Sequence, residues 1–261
     1  MIWYTSDLHI GHIKVANERG FDTTDEHDAE LAARWDDLVR PGDQVWVQGD
    51  ISIGGRANEI KALQWCGERP GELHFLPGNH DGCHGMRSKS ARWQRIYLGV
   101  FHSVQQVATH KIAGQRVSLS HFPLRGDPDG DHTPEHRFEA YRHSDGGQYH
   151  LHGHTHSKVQ QRGRQLHIGP DAHDLSPVSQ QWVADRIMAG DETPSIYPDH
   201  EKQLNTFELQ LLREATLYRY EAGGLPPDLP ESVRRYANQP DGGLIDIIDL
   251  VIRQARKFDA I

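Results

Sequence analysis

No run of eighteen or more apolar residues occurs in the chain, which argues against a membrane-spanning helix. Cysteine is scarce too. Cys66 and Cys83 are too few for a disulfide framework and lack zinc-site spacing, so both read as free thiols. The opening residues, MIWYTSDLHI, show neither the basic start nor the apolar stretch of a signal peptide; they read as a first strand, and a cytoplasmic protein is expected. Positive charge is in deficit: a formal net charge of −9 argues against extended nucleic-acid binding, which needs clustered Lys and Arg. No internal repeat or low-complexity segment is evident.

Histidine, by contrast, is abundant, with 19 residues spread along the chain. Neutral imidazole is the commonest protein metal ligand, so the excess directs attention to ligand spacings. The first 185 or so residues alternate β-rich and helical stretches, predicting strands over 2–6, 44–48, 72–76, 103–110, 116–120, 148–152 and 165–168. Ile112-Ala113-Gly114-Gln115 reads as a hairpin turn. Thr23 and Glu26 have capping-box spacing ahead of Leu31, Trp35 and Leu38, predicting a helix that Pro41-Gly42 ends; a second is predicted over 57–66. Strands mixed with helices in this order predict an α/β layered core.

The expected main domain is residues 1–190, followed by a helical C-terminal appendage over 191–261. Leu204, Phe207, Leu211, Ala215 and Tyr218 form one apolar stripe; Leu244, Ile247, Ile248, Val251 and Ile252 form another beyond a Pro-rich link. The second stripe is too apolar to face water alone. It is expected to pack on the main domain or across a homodimer.

Five short elements follow predicted strands: Asp7-Leu8-His9, Gly49-Asp50, Gly78-Asn79-His80-Asp81, Ser120-His121 and Gly153-His154-Thr155-His156. Loops at strand ends are where α/β folds assemble sites. Alternation along an extended segment would aim Asp7 with His9, and His154 with His156, into one pocket. Carboxylate, imidazole and amide oxygen suit hard-to-borderline divalent ions, without thiolate. Each element alone is commonplace, a turn or a cap; all five in order, each behind a strand, are not.

The ordered set D-x-H, G-D, G-N-H-D, a lone His and G-H-x-H resembles the calcineurin-like metallophosphoesterase superfamily over residues 2 to about 180. The opening SDLHIGH and the run IGPDAHDLSPVS resemble its short bacterial and phage-encoded members. That resemblance implies a four-layer fold, a β-sandwich flanked by helices. It also implies two divalent transition-metal ions (Mn, Fe, Zn, Co or Ni): Asp7, His9 and His156 would hold one, Asn79, His121 and His154 the other, and Asp50 would bridge them. A metal-bridging hydroxide would attack phosphorus. His80 would contact the phosphate and protonate the leaving oxygen, with Asn79 beside it and Asp81 orienting its ring.

Other residues are assigned by position. His12 shares the Asp7 loop and is a candidate substrate contact. Cys83 reads as an inert thiol. Arg125, Arg137 and Arg142 lie in a long polar stretch that reads equally as a substrate-facing or a solvated loop. His173-Asp174 is a candidate support for the pocket, whereas His132, His136, His143 and His150 receive no role. The expected activity is a phosphodiesterase on small phosphate esters such as cyclic nucleotides. A nucleic-acid-processing nuclease, a phosphomonoesterase and a non-catalytic scaffold are the alternatives.

Overall fold

The computed structural model describes residues 1–125 and 137–190. The expected appendage, its two stripes and its dimer role, together with His132 and His136, lie outside these residues.

Four short parallel strands open the first sheet: β1 (Ile2–Thr5), β2 (Gln44–Val47), β3 (Glu72–Phe75) and β4 (Ser103–Val104). A late strand, β10 (Val178–Ser179), adds antiparallel to the free edge of β1. The second sheet takes the order β5 (Ala108–Ile112), β6 (Gln115–Leu119), β7 (Tyr149–His152), β9 (Gln165–His167) and β8 (Gln161–Arg162).

Side-chain alternation builds the layers. Trp3, Val45, Val47, Leu73 and Phe75 pack with Leu31 and Trp35 of α2 (Thr24–Leu38), Ala62, Leu63 and Cys66 of α3 (Arg56–Gly67), and Tyr97 of α4 (Ser90–Tyr97). Their neighbours Tyr4 and Trp46 face the other way, onto Val117, Leu119, Leu151 and Leu166 of the second sheet. Val183 and Ile187 of α5 (Gln180–Ala189) join that inter-sheet core. The capping box is present: Glu26 N donates to Thr23 Oγ1 and Thr23 N donates to Glu26 Oε2, each at 3.2 Å.

One predicted strand is really two. Residues 103–110 contribute β4 to the first sheet and β5 to the second, and the chain changes sheet at 105–107. Gln105 N still donates to Phe75 O, whereas Ala108 already pairs with Leu119. β-propensity continues across the switch, so composition alone hid it. The hairpin turn is as expected, with Ala113 and Gly114 at φ 48° and 79°, positive at both central positions as a type I′ turn requires. Also unanticipated are α1 (Ile13–Glu18), α4, α5, β8 and β10.

Candidate metal centre

The loops leaving β1 and β2 run side by side, because Asp7 N donates to Gly49 O (2.9 Å) and His9 N to Asp50 O (3.0 Å). Within the second sheet Gly153 N donates to His121 O at 3.0 Å, and across the sheets His154 N donates to Asp7 Oδ2 at 2.9 Å. The glycines of the motifs permit this closeness: a Cβ on Gly153 would stand 2.2 Å from Asp7 Oδ2, and one on Gly78 2.3 Å from Asp50 Oδ1.

Two clusters result, Asp7 with His9 and His156, and Asp50 with His121 and His154. Asn79 joins the second, its Oδ1 lying 3.1 Å from His121 Nε2. Asp7 and His9 do not meet by strand alternation. Asp7, His9, Asp50, His154 and His156 all adopt left-handed backbone, with φ between 48° and 71°. This conformation is uncommon for non-glycine residues, costs about 1–3 kcal/mol per residue and concentrates at functional sites. The chain turns at each of these five residues; it does not run extended past them.

The spacings suit shared ions. Two ligand atoms about 2.0–2.1 Å from one ion, at right angles to tetrahedral, lie roughly 2.8–3.4 Å apart. His9 Nε2 and His156 Nε2 are 3.1 Å apart. His121 Nε2 lies 3.2 Å from His154 Nδ1 and 3.4 Å from Asp50 Oδ2. Asp7 Oδ2 accepts from Ser6 Oγ and His154 N, while Asp7 Oδ1 is buried with no hydrogen-bond partner. A fully buried carboxylate oxygen without a donor is expensive unless a cation is meant to meet it.

Protonation fits as well. His121 Nδ1 donates to Gln48 O at 2.8 Å, which turns Nε2 toward the cluster. Burial by itself would lower the pKa of His121, but the Asp50 and Asp7 carboxylates outweigh it and raise the pKa to about 9. Burial lowers the His9 pKa well below the usual value, which keeps that imidazole a neutral donor.

The structure separates His80 from Asp81. Asp81 is fully buried, and its Oδ2 accepts from the backbone N–H of Asp50 (2.8 Å) and of Gly78 (2.7 Å). Its Oδ1 lies 3.2 Å from Tyr97 Oη. The expectation that Asp81 orients the His80 ring is corrected: His80 Nδ1 donates instead to Ile53 O at 2.8 Å. Asp81 ties the Asp50 and Asn79 loops together, and its side chain turns inward. His80 keeps Nε2 for the site, 3.9 Å from Asp50 Oδ2, with its side chain 37% exposed. His12 comes to the rim, its Nδ1 3.5 Å from His9 Nδ1.

The expected support from His173-Asp174 is displaced by three residues. His173 Nε2 donates to His167 O (2.7 Å) and Asp174 pairs with Arg34 (3.0 Å), so neither reaches a ligand. Asp171, missed in the sequence, does: its Oδ2 lies 3.1 Å from His156 Nδ1 and 2.8 Å from Arg19 Nη2. Arg19 also donates to Asp7 O (2.9 Å) and contacts His27 Nε2 (3.0 Å). The signal was available in the run IGPDAHDLSPVS, whose first aspartate is the one used.

Of the polar stretch, Arg125 Nε donates to the carbonyls of Glu139 and Arg142, each at 3.1 Å. Phe138 sets its ring edge against His154, centroids 5.7 Å apart. Cys83 is buried among Asp81 and Glu59, and burial pushes its thiol pKa upward, as an inert thiol requires.

The family model described as the calcineurin-like phosphoesterase superfamily domain matches residues 2–184. The Gene 66 protein of Mycobacterium phage D29 is 42% identical over 189 residues, 69% of this chain and 92% of that protein. That of Mycobacterium phage L5 is 42% identical over 182 residues, 65% of this chain and 86% of its own length. A crystal structure of a protein of unknown function from Aquifex aeolicus aligns with TM-score 0.53 and 18% identity, covering 71% of this chain and 98% of its own; it supports the fold alone.

Proposed function

The chain belongs to the calcineurin-like phosphoesterase superfamily, and on that premise we propose that it is a phosphodiesterase for small nucleotide-type diesters, cyclic nucleotides among them. The family membership makes it a metal-dependent phosphoester hydrolase. When bound, two divalent ions supply Lewis acidity toward the phosphoryl oxygens and activate water near neutral pH.

This chain's own residues do the rest. Asp7, His9 and His156 would hold one ion and Asn79, His121 and His154 the other, with Asp50, grouped with His121 and His154, bridging to the first. His80 presents Nε2 to the reacting phosphate because Ile53 O holds Nδ1. From that position it binds the phosphate and delivers a proton to the departing alcohol oxygen. His12, at the rim, contacts substrate.

The observation that carries the diester reading is that two separate walls border the ligands. His80 lies beside His9, ring centroids 5.6 Å apart, and Phe138 lies against His154 at 5.7 Å. A diester has two substituents to place, a monoester one. Two buried free thiols, Cys66 and Cys83, support a reducing, cytoplasmic setting. Among the described residues no helix is long and apolar enough to cross a membrane.

A substrate panel on metal-reconstituted protein tests the reading. Cyclic nucleotides, aryl diesters, aryl monoesters and single-stranded or nicked DNA would be compared, with Asp50→Ala as control. Turnover of the small diesters above the others, lost in Asp50→Ala, is expected. A monoester preference, or activity on DNA alone, would overturn it.

A further inference from the structure

The net charge of −9 conceals an uneven distribution. Between Asp81 and Asp127 the chain has no acidic residue, whereas Arg87, Lys89, Arg92 and Arg95 fall within that interval, just after the His80 loop. All four are exposed. None can be neutralised by an acidic neighbour in its own segment, which leaves a basic flank on an acidic protein.

Beside His80 this flank borders a cleft of about 450 Å3, within the range of small-molecule sites. One wall is the Ile53-Gly54-Gly55 turn, the other Arg87, Ser88 and Lys89, with Trp93 and Gly82 also lining it. The wall is held to the metal centre: Arg87 Nη2 donates to the backbone carbonyl of Asn79, and Gly54 packs so tightly on His80 that a Cβ there would stand 2.7 Å from His80 O. The Trp93 ring lies directly against the Gly82 Cα and gives the cleft a fixed apolar surface. Glu59 is the one carboxylate among the lining residues; it is buried, with Oε2 accepting from Gly82 N (2.7 Å) and Tyr97 Oη (2.9 Å). His80 therefore opens on one side to the metal ligands and on the other to a cleft walled by two cations.

We propose that this cleft receives the leaving half of the substrate, and that Lys89 and Arg87 select a leaving alcohol that carries a further phosphate. The inference rests on the phosphodiesterase reading and names its substrate class: nucleotide diesters with a second phosphate on the leaving side, as in a short oligonucleotide. In the reaction, water adds to phosphorus, the P–O bond to the alcohol breaks, and the alcohol oxygen takes a proton from His80 Nε2, which solvent restores. The atom that receives this proton must lie next to His80, so the group attached to it extends into the cleft beyond. There an ammonium and a guanidinium meet its charge, while the indole meets its ring. Lys89 also stands at the N-terminus of α4, whose first turn has no acidic residue to compete for an anion.

The test compares two methyl aryl phosphate diesters whose phenols are matched in pKa, one phenol bearing a phosphonate and the other neutral. With the metal-loaded full-length protein, the charged diester should have the higher kcat/KM by at least about fivefold at low salt, the preference fading as salt screens the pair. Lys89→Gln should bring the ratio close to one. Lys111→Gln, on β5 and away from the cleft, should leave the ratio as it was. An equal rate for both diesters, or a preference that survives Lys89→Gln, would overturn the assignment while leaving the diesterase reading standing. Hydrolysis of aryl monoesters with neither diester turned over would overturn both.

Discussion

Asp171 Oδ2 sits between His156 Nδ1, 3.1 Å away, and Arg19 Nη2, 2.8 Å away. Burial alone would raise the pKa of this carboxyl, but its bonds to Arg19 and His156 outweigh burial and hold it well below the usual range. The same contact, against the lowering effect of burial, raises the pKa of His156. A carboxylate behind a ligand imidazole fixes its orientation and increases its basicity. Asp171→Asn should therefore weaken the ion held by Asp7, His9 and His156 by roughly 10–100-fold. The ion at Asn79, His121 and His154 should be affected far less. Titration of both sites by calorimetry checks this, and equal weakening at the two would argue for a general loss of structure.

His80→Ala should lower kcat by roughly 10²–10⁴, the scale of general acid catalysis. Metal content should stay near that of the parent, because His80 is not among the ligand groups. The loss should shrink as the leaving-group pKa falls, since a good leaving group needs no proton. A Brønsted plot for parent and variant reads this directly; parallel slopes would reduce His80 to a phosphate contact.

Gly153→Ala tests why the last motif begins with glycine. The added methyl would stand 2.2 Å from Asp7 Oδ2 and 2.3 Å from Ser6 Oγ. Asp7 is fully buried and cannot step aside. Overpacking of this kind costs about 1–3 kcal/mol, and here it should also cost metal binding. Gly42→Ala, where nothing lies within 4 Å of the new atom, should be close to neutral. Melting temperature and metal stoichiometry, measured together, separate the two variants.

The motif residues were legible because chemistry restricts them. Few residue types can hold a divalent ion, and D-x-H, G-N-H-D and G-H-x-H keep their spacing however the chain bends. The backbone that assembles them was not legible. Asp7 and His9 reach one cluster through two left-handed residues, where the sequence suggested a strand. Asp171 was hidden for a different reason: its partner Arg19 lies 152 positions away, and His173-Asp174 nearby offered an imidazole and a carboxylate side by side. The sheet switch at 105–107 escaped because strand propensity continues through it. Asp81 was misassigned to His80 by adjacency; backbone amides from two loops hold it instead.

Metal affinity should depend on pH in a definite direction. His121 has its pKa raised by Asp50 and Asp7, against the lowering effect of burial. Without metal it therefore keeps a proton at neutral pH that an incoming ion must displace. Affinity should rise as pH increases through the neutral range toward the folded-state pKa, by up to about tenfold per pH unit for each proton released. Calorimetric binding of Mn(II) between pH 6.5 and 8.5, in buffers of different ionisation enthalpy, gives both the slope and the proton count. A flat profile with no proton release would contradict the assignment of His121 as a ligand.

Seven side chains from five loops are expected to hold two ions side by side. Anomalous diffraction at the manganese edge, from crystals of the Mn(II)-loaded full-length protein, measures this most directly. Two peaks about 3.5–4 Å apart are expected. One should lie within about 2.0–2.3 Å of ligand atoms of Asp7, His9 and His156, the other equally close to Asn79, His121 and His154, with Asp50 reaching both. A single peak, or peaks away from these residues, would rule out a two-ion centre at this site.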